Sequence, residues 1–326
     1  MSRQLNDLKS EAARLISQGR YNEAEPLLLQ ALETCKSETG EPSAEYGSIL
    51  NELGGTYRAI GEYKKSEENY LQAIGVLTGA LGRDHADTAT AINNLAGTYR
   101  LTGEFQKSED MFAQAVTIYE KTIGKDHFLY ASALNNLGLL YQDTQRYQKA
   151  EELHLQAFEI VKKSGKRDIP YATSLNNIAS ALRGQNRGVE AVPLLEEALR
   201  IYAETVGKNH PLYASGLNNL GGLLALLGRF EEAEPFLNEV LDIQEDLFGS
   251  QHPDYIAAMG NLGRLYAGWG KYEKAIDYYT KVMDARRRTL GEQDPKYRGV
   301  VKMLADVYEK AGQAEKARVL RSETGI

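Results

Sequence analysis

Apolar residues along this chain fall in two alternating patterns, each with the spacing of a single helical face. Leu134, Leu137, Gly138 and Tyr141 stand at i, i+3, i+4 and i+7, and Ala150, Leu153, Ala157 and Ile160 follow in similar spacing. The first pattern predicts a helix A from Tyr130 through Gln142, the second a helix B from Tyr147 through Lys163. Thr144-Gln145-Arg146 turns between them. The same pair of patterns recurs along the whole sequence.

The recurrence is marked by two asparagines and an aliphatic residue: Asn93-Asn94-Leu95, Asn135-Asn136-Leu137, Asn176-Asn177-Ile178 and Asn218-Asn219-Leu220, spaced 42, 41 and 42 residues apart. Degenerate copies follow at Asn51-Glu52-Leu53, Gly260-Asn261-Leu262 and Lys302-Met303-Leu304. Glycine and an aromatic residue punctuate the A-to-B turn, as in Gly61-Glu62-Tyr63 and Gly228-Arg229-Phe230. A second glycine stops helix B and a histidine or proline opens the next helix A, as in Val206-Gly207-Lys208-Asn209-His210-Pro211. Pro26, Pro193 and Pro235 sit early in their B helices, where several N–H groups lack an intrahelical partner, and are read as tolerated.

Counting outward gives eight helix pairs: residues 1–43, 44–85, 86–127, 128–168, 169–210, 211–252, 253–294 and 295–326. A period near 42 residues means a stack of small units with one continuous core, so the expectation is all-α, one solenoid domain over 1–326. The terminal units lack the asparagine pair, as end units that present a polar face to solvent should.

Composition narrows the function. The chain is 42% hydrophobic and 25% charged, with a formal charge of −7 and a pI near 5.5. That balance fits a folded chain without the basic footprint of a nucleic-acid binder. Cys35 is the single cysteine, no signal-like apolar run opens the sequence, and no stretch approaches a membrane span. A cytoplasmic protein that binds neither nucleic acid nor membrane is expected.

With Leu137 in its place in helix A, small residues recur at the next position (Gly54, Ala96, Gly138, Ala179, Gly221, Gly263, Ala305) and early in helix B (Ala24, Ala150, Ala191, Ala233, Ala275). This pattern resembles the tetratricopeptide repeat. The 42-residue length, the Asn-Asn-Leu signature and the Leu-Gly-x-x-His-Pro connector are similar to the kinesin light chain type of that repeat. The resemblance spans essentially the whole chain and implies a right-handed α-solenoid of about eight antiparallel helix pairs, with helix A lining a concave groove. It is specific for the fold and not for the function. Kinesin light chains carry an N-terminal heptad coiled coil as well, and no sustained heptads occur here.

At 100° per residue, the asparagines face away from the sector that holds Leu134, Leu137, Gly138 and Tyr141. The second residue of each pair, Asn94, Asn136, Asn177, Asn219 and Asn261, would form a ladder of amides along the groove, able to grip the backbone of an extended peptide. The first residue is equally suited to bridging neighbouring A helices. Arg58, Arg100 and Arg183 recur five residues after the aliphatic residue, with Gln142 taking the place once, and Arg264 enters nearby. Arginine there could pair with carboxylates, which would select an acidic partner segment or a free C-terminus.

His85, His127, His210 and His252 share one connector position in different repeats, roughly 10 Å apart on helix-packing distances, too far to share a metal. They are read as helix caps. No nucleophile motif or phosphate loop occurs, so neither catalysis nor a cofactor is expected. The expected function is a non-catalytic scaffold that holds an extended protein or peptide segment in its groove. The alternative is a regulatory receptor whose superhelix changes shape on binding a signalling peptide or partner and so controls a separate effector. Oligomeric state is left open.

Overall fold

The computed structural model describes residues 2–39 and 41–325. Helices run in consecutive pairs: α1 (Arg3–Ser17) with α2 (Tyr21–Thr39), α3 (Ala44–Ala59) with α4 (Tyr63–Leu81), α5 (Ala86–Thr102) with α6 (Phe105–Thr122), and α7 (Phe128–Asp143) with α8 (Tyr147–Lys163). Then come α9 (Ile169–Gly184) with α10 (Gly188–Thr205), α11 (Pro211–Leu226) with α12 (Phe230–Phe248), α13 (Pro253–Gly268) with α14 (Tyr272–Leu290), and α15 (Pro295–Lys310) with α16 (Ala314–Thr324). Odd-numbered helices are the A helices of the sequence pattern and even-numbered ones the B helices. The described residues contain no strand. The architecture is an all-α solenoid of helix pairs.

Each boundary has a local cause. The four connector histidines do cap helices: Nδ1 of His85, His127, His210 and His252 accepts the N–H of Asp87, Leu129, Leu212 and Asp254 at 3.1 to 3.2 Å. Ser43, Asp168 and Asp294 cap α3, α9 and α15 in the same way. The A-to-B turns need a left-handed residue, and glycine supplies it in most repeats. Gln145 takes that conformation with a side chain, at φ 58°. Replacing it with glycine should stabilise the protein by about 0.5 to 1 kcal/mol, the left-handed penalty less glycine's greater unfolded-state freedom. Urea unfolding of Gln145→Gly against the parent chain measures this.

The prolines differ from their sequence reading. Pro26, Pro193 and Pro235 are the sixth residues of α2, α10 and α12, past the turn whose N–H groups are free. Each helix therefore runs on with one backbone hydrogen bond missing.

Within a pair, the helices close on small residues. An added Cβ at Gly54 would stand 2.8 Å from the Tyr70 ring, and one at Gly263 the same distance from Tyr279. Alanines one turn along the B helices, Ala31, Ala73, Ala115 and Ala157, are fully buried. Aliphatic residues such as Leu53, Leu95 and Leu217 fill the space between, each contributing roughly 2 to 3 kcal/mol by leaving water.

The pairs gather into two compact units, one ending at Gly165 and one beginning at Lys166. The first contains α1 to α8 and the second α9 to α16. Inside each unit, every B helix also packs on the next A helix.

The A-helix face as candidate binding site

In the first unit α3 touches α5 and α5 touches α7; in the second, α9 touches α11 and α11 touches α13. No two B helices of a unit approach to the same extent among the described residues. The A side of each unit is therefore its tighter, inner side. The asparagine pairs lie on this side, between neighbouring A helices.

The asparagines of successive repeats hydrogen-bond to one another. Asn94 Nδ2 donates to Asn51 Oδ1 at 3.0 Å and Asn136 Nδ2 to Asn93 Oδ1 at 3.2 Å in the first unit. In the second, Asn219 Nδ2 donates to Asn176 Oδ1 at 3.3 Å and Asn261 Nδ2 to Asn218 Oδ1 at 2.6 Å. The second asparagine of one repeat thus clamps the first asparagine of the repeat before it. Asn176 is engaged at both ends, since its Nδ2 also donates to the Tyr202 hydroxyl at 3.1 Å.

One N–H of each donating amide is spent on this clamp. In Asn94, Asn136 and Asn219 the second N–H and the oxygen remain, a donor and an acceptor held in fixed orientation, whereas the Asn261 oxygen accepts from Arg264. Asn177 occupies the equivalent place on α9 and is half-buried. Where the ladder begins, Glu52 replaces the amide, and burial pushes its carboxyl above the usual range while Lys9 pulls it back.

The arginines divide. Arg58 lies across α5, with Nη1 donating to the Asn94 carbonyl at 3.1 Å. Gly97 makes the room, since a Cβ there would stand 2.7 Å from that nitrogen. Arg100 pairs with Asp143 at 2.6 Å. Arg264 Nη2 donates to Asn261 Oδ1 at 2.9 Å, and Arg183 is exposed on α9. The two arginines of the first unit thus hold neighbouring repeats, while those of the second present their charge outward.

Gln142 leads inward. Its Nε2 donates to His154 Nε2 at 2.8 Å, and His154 Nδ1 donates to Asn135 Oδ1 at 2.8 Å. An amide nitrogen can only donate and an amide oxygen only accept, so the imidazole is neutral with its proton on Nδ1. His154 is fully buried against Gly138, and burial lowers its pKa to about 4. It occupies the eighth residue of its B helix, where α4, α6 and α14 carry Tyr70, Phe112 and Tyr279. In the sequence its only signal is that it is the odd residue in that column.

A second ladder, which repeat spacing alone does not reveal, joins the A helices to the preceding B helices. The hydroxyls of Tyr57, Tyr99, Tyr141 and Tyr266 donate to Glu25, Glu67, Glu109 and Glu234 of the preceding B helix, each across 32 residues. Lysine ammonium groups lie over the same rings, Lys65 on Tyr57, Lys107 on Tyr99 and Lys274 on Tyr266. Burial, then the glutamate partner, raises the phenol pKa of Tyr57 to about 12 and moves that of Tyr99 up as well. Tyr99→Phe should cost about 1 kcal/mol, the value of one charge-assisted hydrogen bond whose acceptor can return to water, read as a lowered urea midpoint.

Among the described residues no group of three or more histidine, cysteine or acidic side chains is placed to hold a metal, and no helix is long and apolar enough to cross a membrane. Cys35 is buried, with its sulfur 3.4 Å from the Thr39 hydroxyl.

Known proteins share the fold. A putative kinesin light chain of Podosopora anserina with nearly identical TPR-like repeats is 26% identical, with a TM-score of 0.52 over 61% of this chain and 95% of that one. BtubC (BKLC) from P. vanneervenii is 24% identical, with a TM-score of 0.55 over 69% of this chain and 89% of its own. A Rap protein complexed with Competence and Sporulation Factor, 15% identical, shares the fold over 98% of this chain and 96% of its own at a TM-score of 0.62. No curated protein matches. The family model for the tetratricopeptide repeat matches residues 12–79, 45–121, 87–163, 170–246 and 213–288. The chain belongs to the tetratricopeptide repeat family.

Proposed function

We propose that the protein is a binding scaffold that holds an extended segment of a partner protein along the A-helix face of its units. The observation that carries this reading is the oriented amides at Asn94 and Asn136 in the first unit and at Asn219 and Asn261 in the second, each fixed by its neighbour and each retaining a donor, with an acceptor besides on all but Asn261. Alternating donors and acceptors suit an extended backbone, which offers the same groups in turn. Asn177 holds the equivalent place on α9 of the second unit. Arg183 and Arg264 give the second unit an affinity for carboxylates, so its face favours an acidic stretch; in the first unit Arg58, Arg100 and Gln142 shape the walls.

The test separates binding from clamping. A partner captured by the intact chain from native lysate should bind Asn136→Ala/Asn177→Ala at least tenfold more weakly. Asn93→Ala removes the clamp acceptor but keeps the Asn136 amide, and should lower the melting temperature while leaving affinity near that of the parent. Equal loss of affinity in both variants would mean that the asparagines serve folding alone.

A second reading is a receptor whose helix pairs shift on binding and so control an effector on another chain. It is favoured by the fold shared with the Rap protein complexed with Competence and Sporulation Factor. Small-angle scattering with and without the captured partner distinguishes them: a receptor changes its radius of gyration, a passive scaffold keeps it.

A further inference from the structure

The outer face of the B helices differs between the two units in a way that repeat packing does not explain. The ninth residue of the B helix is Leu29 in α2, Leu71 in α4, Ala113 in α6 and Leu155 in α8. In the second unit the same place holds Glu196, Asn238 and Thr280. The eighth residue beside it is buried in every B helix from α2 to α14, as Leu28, Tyr70, Phe112 and His154 in the first unit. The ninth therefore turns outward, and the three leucines are 44%, 48% and 42% exposed. If the solenoid itself required leucine there, α10, α12 and α14 would carry it too.

The surroundings of this stripe point to its occupant. A glutamine follows each leucine, Gln30, Gln72 and Gln156, all exposed. One turn before the stripe lie the exposed carboxylates Glu68, Asp110 and Glu152, and one turn after it Glu33 and Glu159. An apolar line between acidic borders is complementary to a helix with an apolar face and basic flanks. Acidic borders repel the anionic lipids that would attract a membrane-binding patch, so a protein helix fits where a bilayer does not. From α2 to α8 the stripe crosses three repeat steps, on the order of 30 Å at ordinary helix spacing, which a helix of roughly 20 residues spans.

We propose that the outer B-helix face of the first unit docks a basic amphipathic helix of a partner protein, with Leu29, Leu71 and Leu155 as its apolar contacts. This surface is distinct from the A-helix face and does not depend on it.

The probe is a synthetic 21-residue helical peptide with leucine along one face and lysine on the others, beside a scrambled peptide of the same composition, each titrated by fluorescence anisotropy. The intact chain should bind the patterned peptide and bind the scrambled one at least tenfold more weakly. Leu29→Asn/Leu71→Asn/Leu155→Asn should lose at least tenfold in affinity with an unchanged melting temperature, because all three side chains are exposed. Asn136→Ala/Asn177→Ala should bind the peptide as the parent does. Glu68→Gln/Glu152→Gln should weaken binding and flatten its salt dependence. No binding by the intact chain, equal binding of the scrambled peptide, or full binding by the triple leucine variant would overturn the proposal. So would a parent chain that sediments as a dimer when the triple leucine variant is a monomer, since the stripe would then belong to a second copy.

Discussion

Acidification from pH 7 to pH 4 will remove about 3 kcal/mol of stability through His154 alone, and His154→Phe will remove that part of the pH dependence. The imidazole is fully buried and hydrogen-bonded as a neutral ring, with burial lowering its pKa from 6.5 to about 4. In the unfolded chain it titrates at its ordinary value, so below pH 6.5 the unfolded state binds the proton that the folded state refuses. Stability therefore falls as pH falls through this window and levels off near pH 4, where the folded ring also protonates. At about 1.4 kcal/mol per pH unit, the window amounts to about 3 kcal/mol. Phenylalanine is a fair replacement because Phe112 fills the corresponding place in α6 at 1% exposure. Urea unfolding of both proteins at pH 7 and pH 4 measures the difference, and parallel pH dependences would show that the ring titrates normally.

The second large effect is expected at Gly138. A Cβ there would stand 2.5 Å from His154 Cε1 and 2.9 Å from both ring nitrogens. The ring cannot rotate away without breaking its bonds to Asn135 and Gln142. Gly138→Ala should therefore cost about 3 kcal/mol, at the upper end for one added methyl group in a packed core. It should do so despite alanine's better helix propensity. Shortening the opposing residue relieves the clash, so Gly138→Ala should cost far less in a His154→Ala background than in the parent. A double-mutant cycle in urea reads the coupling directly, and additive effects would place the strain elsewhere.

The repeat was legible because its causes are local and recur. Gly61, Gly103 and Gly228 stand where the turn needs a left-handed residue, and His85, His127, His210 and His252 stand where an A helix needs a cap. Both signals survive in a single sequence. The asparagine pair was legible only as a surface feature: the helical angle placed it away from Leu137, yet could not show that Asn136 reaches back to Asn93. That contact depends on the stagger between neighbouring A helices, which periodicity does not encode. The Tyr99–Glu67 bond was hidden for the same reason, because its partners lie on different helices of different repeats. Arg58 looked like a groove cation in sequence and turns out to span a helix over Gly97, a path that required the glycine to be seen in place.

The most direct measurement of the central claim is site-specific photocrosslinking of the captured partner. Gly222 on α11 lies on the A-helix face with open space where a side chain would stand, while Glu196 on α10 is exposed on the B side of the same unit. A benzophenone amino acid at position 222 should crosslink the partner, and one at position 196 should not. Crosslinking from 196 with none from 222 would contradict a partner segment held by the A helices.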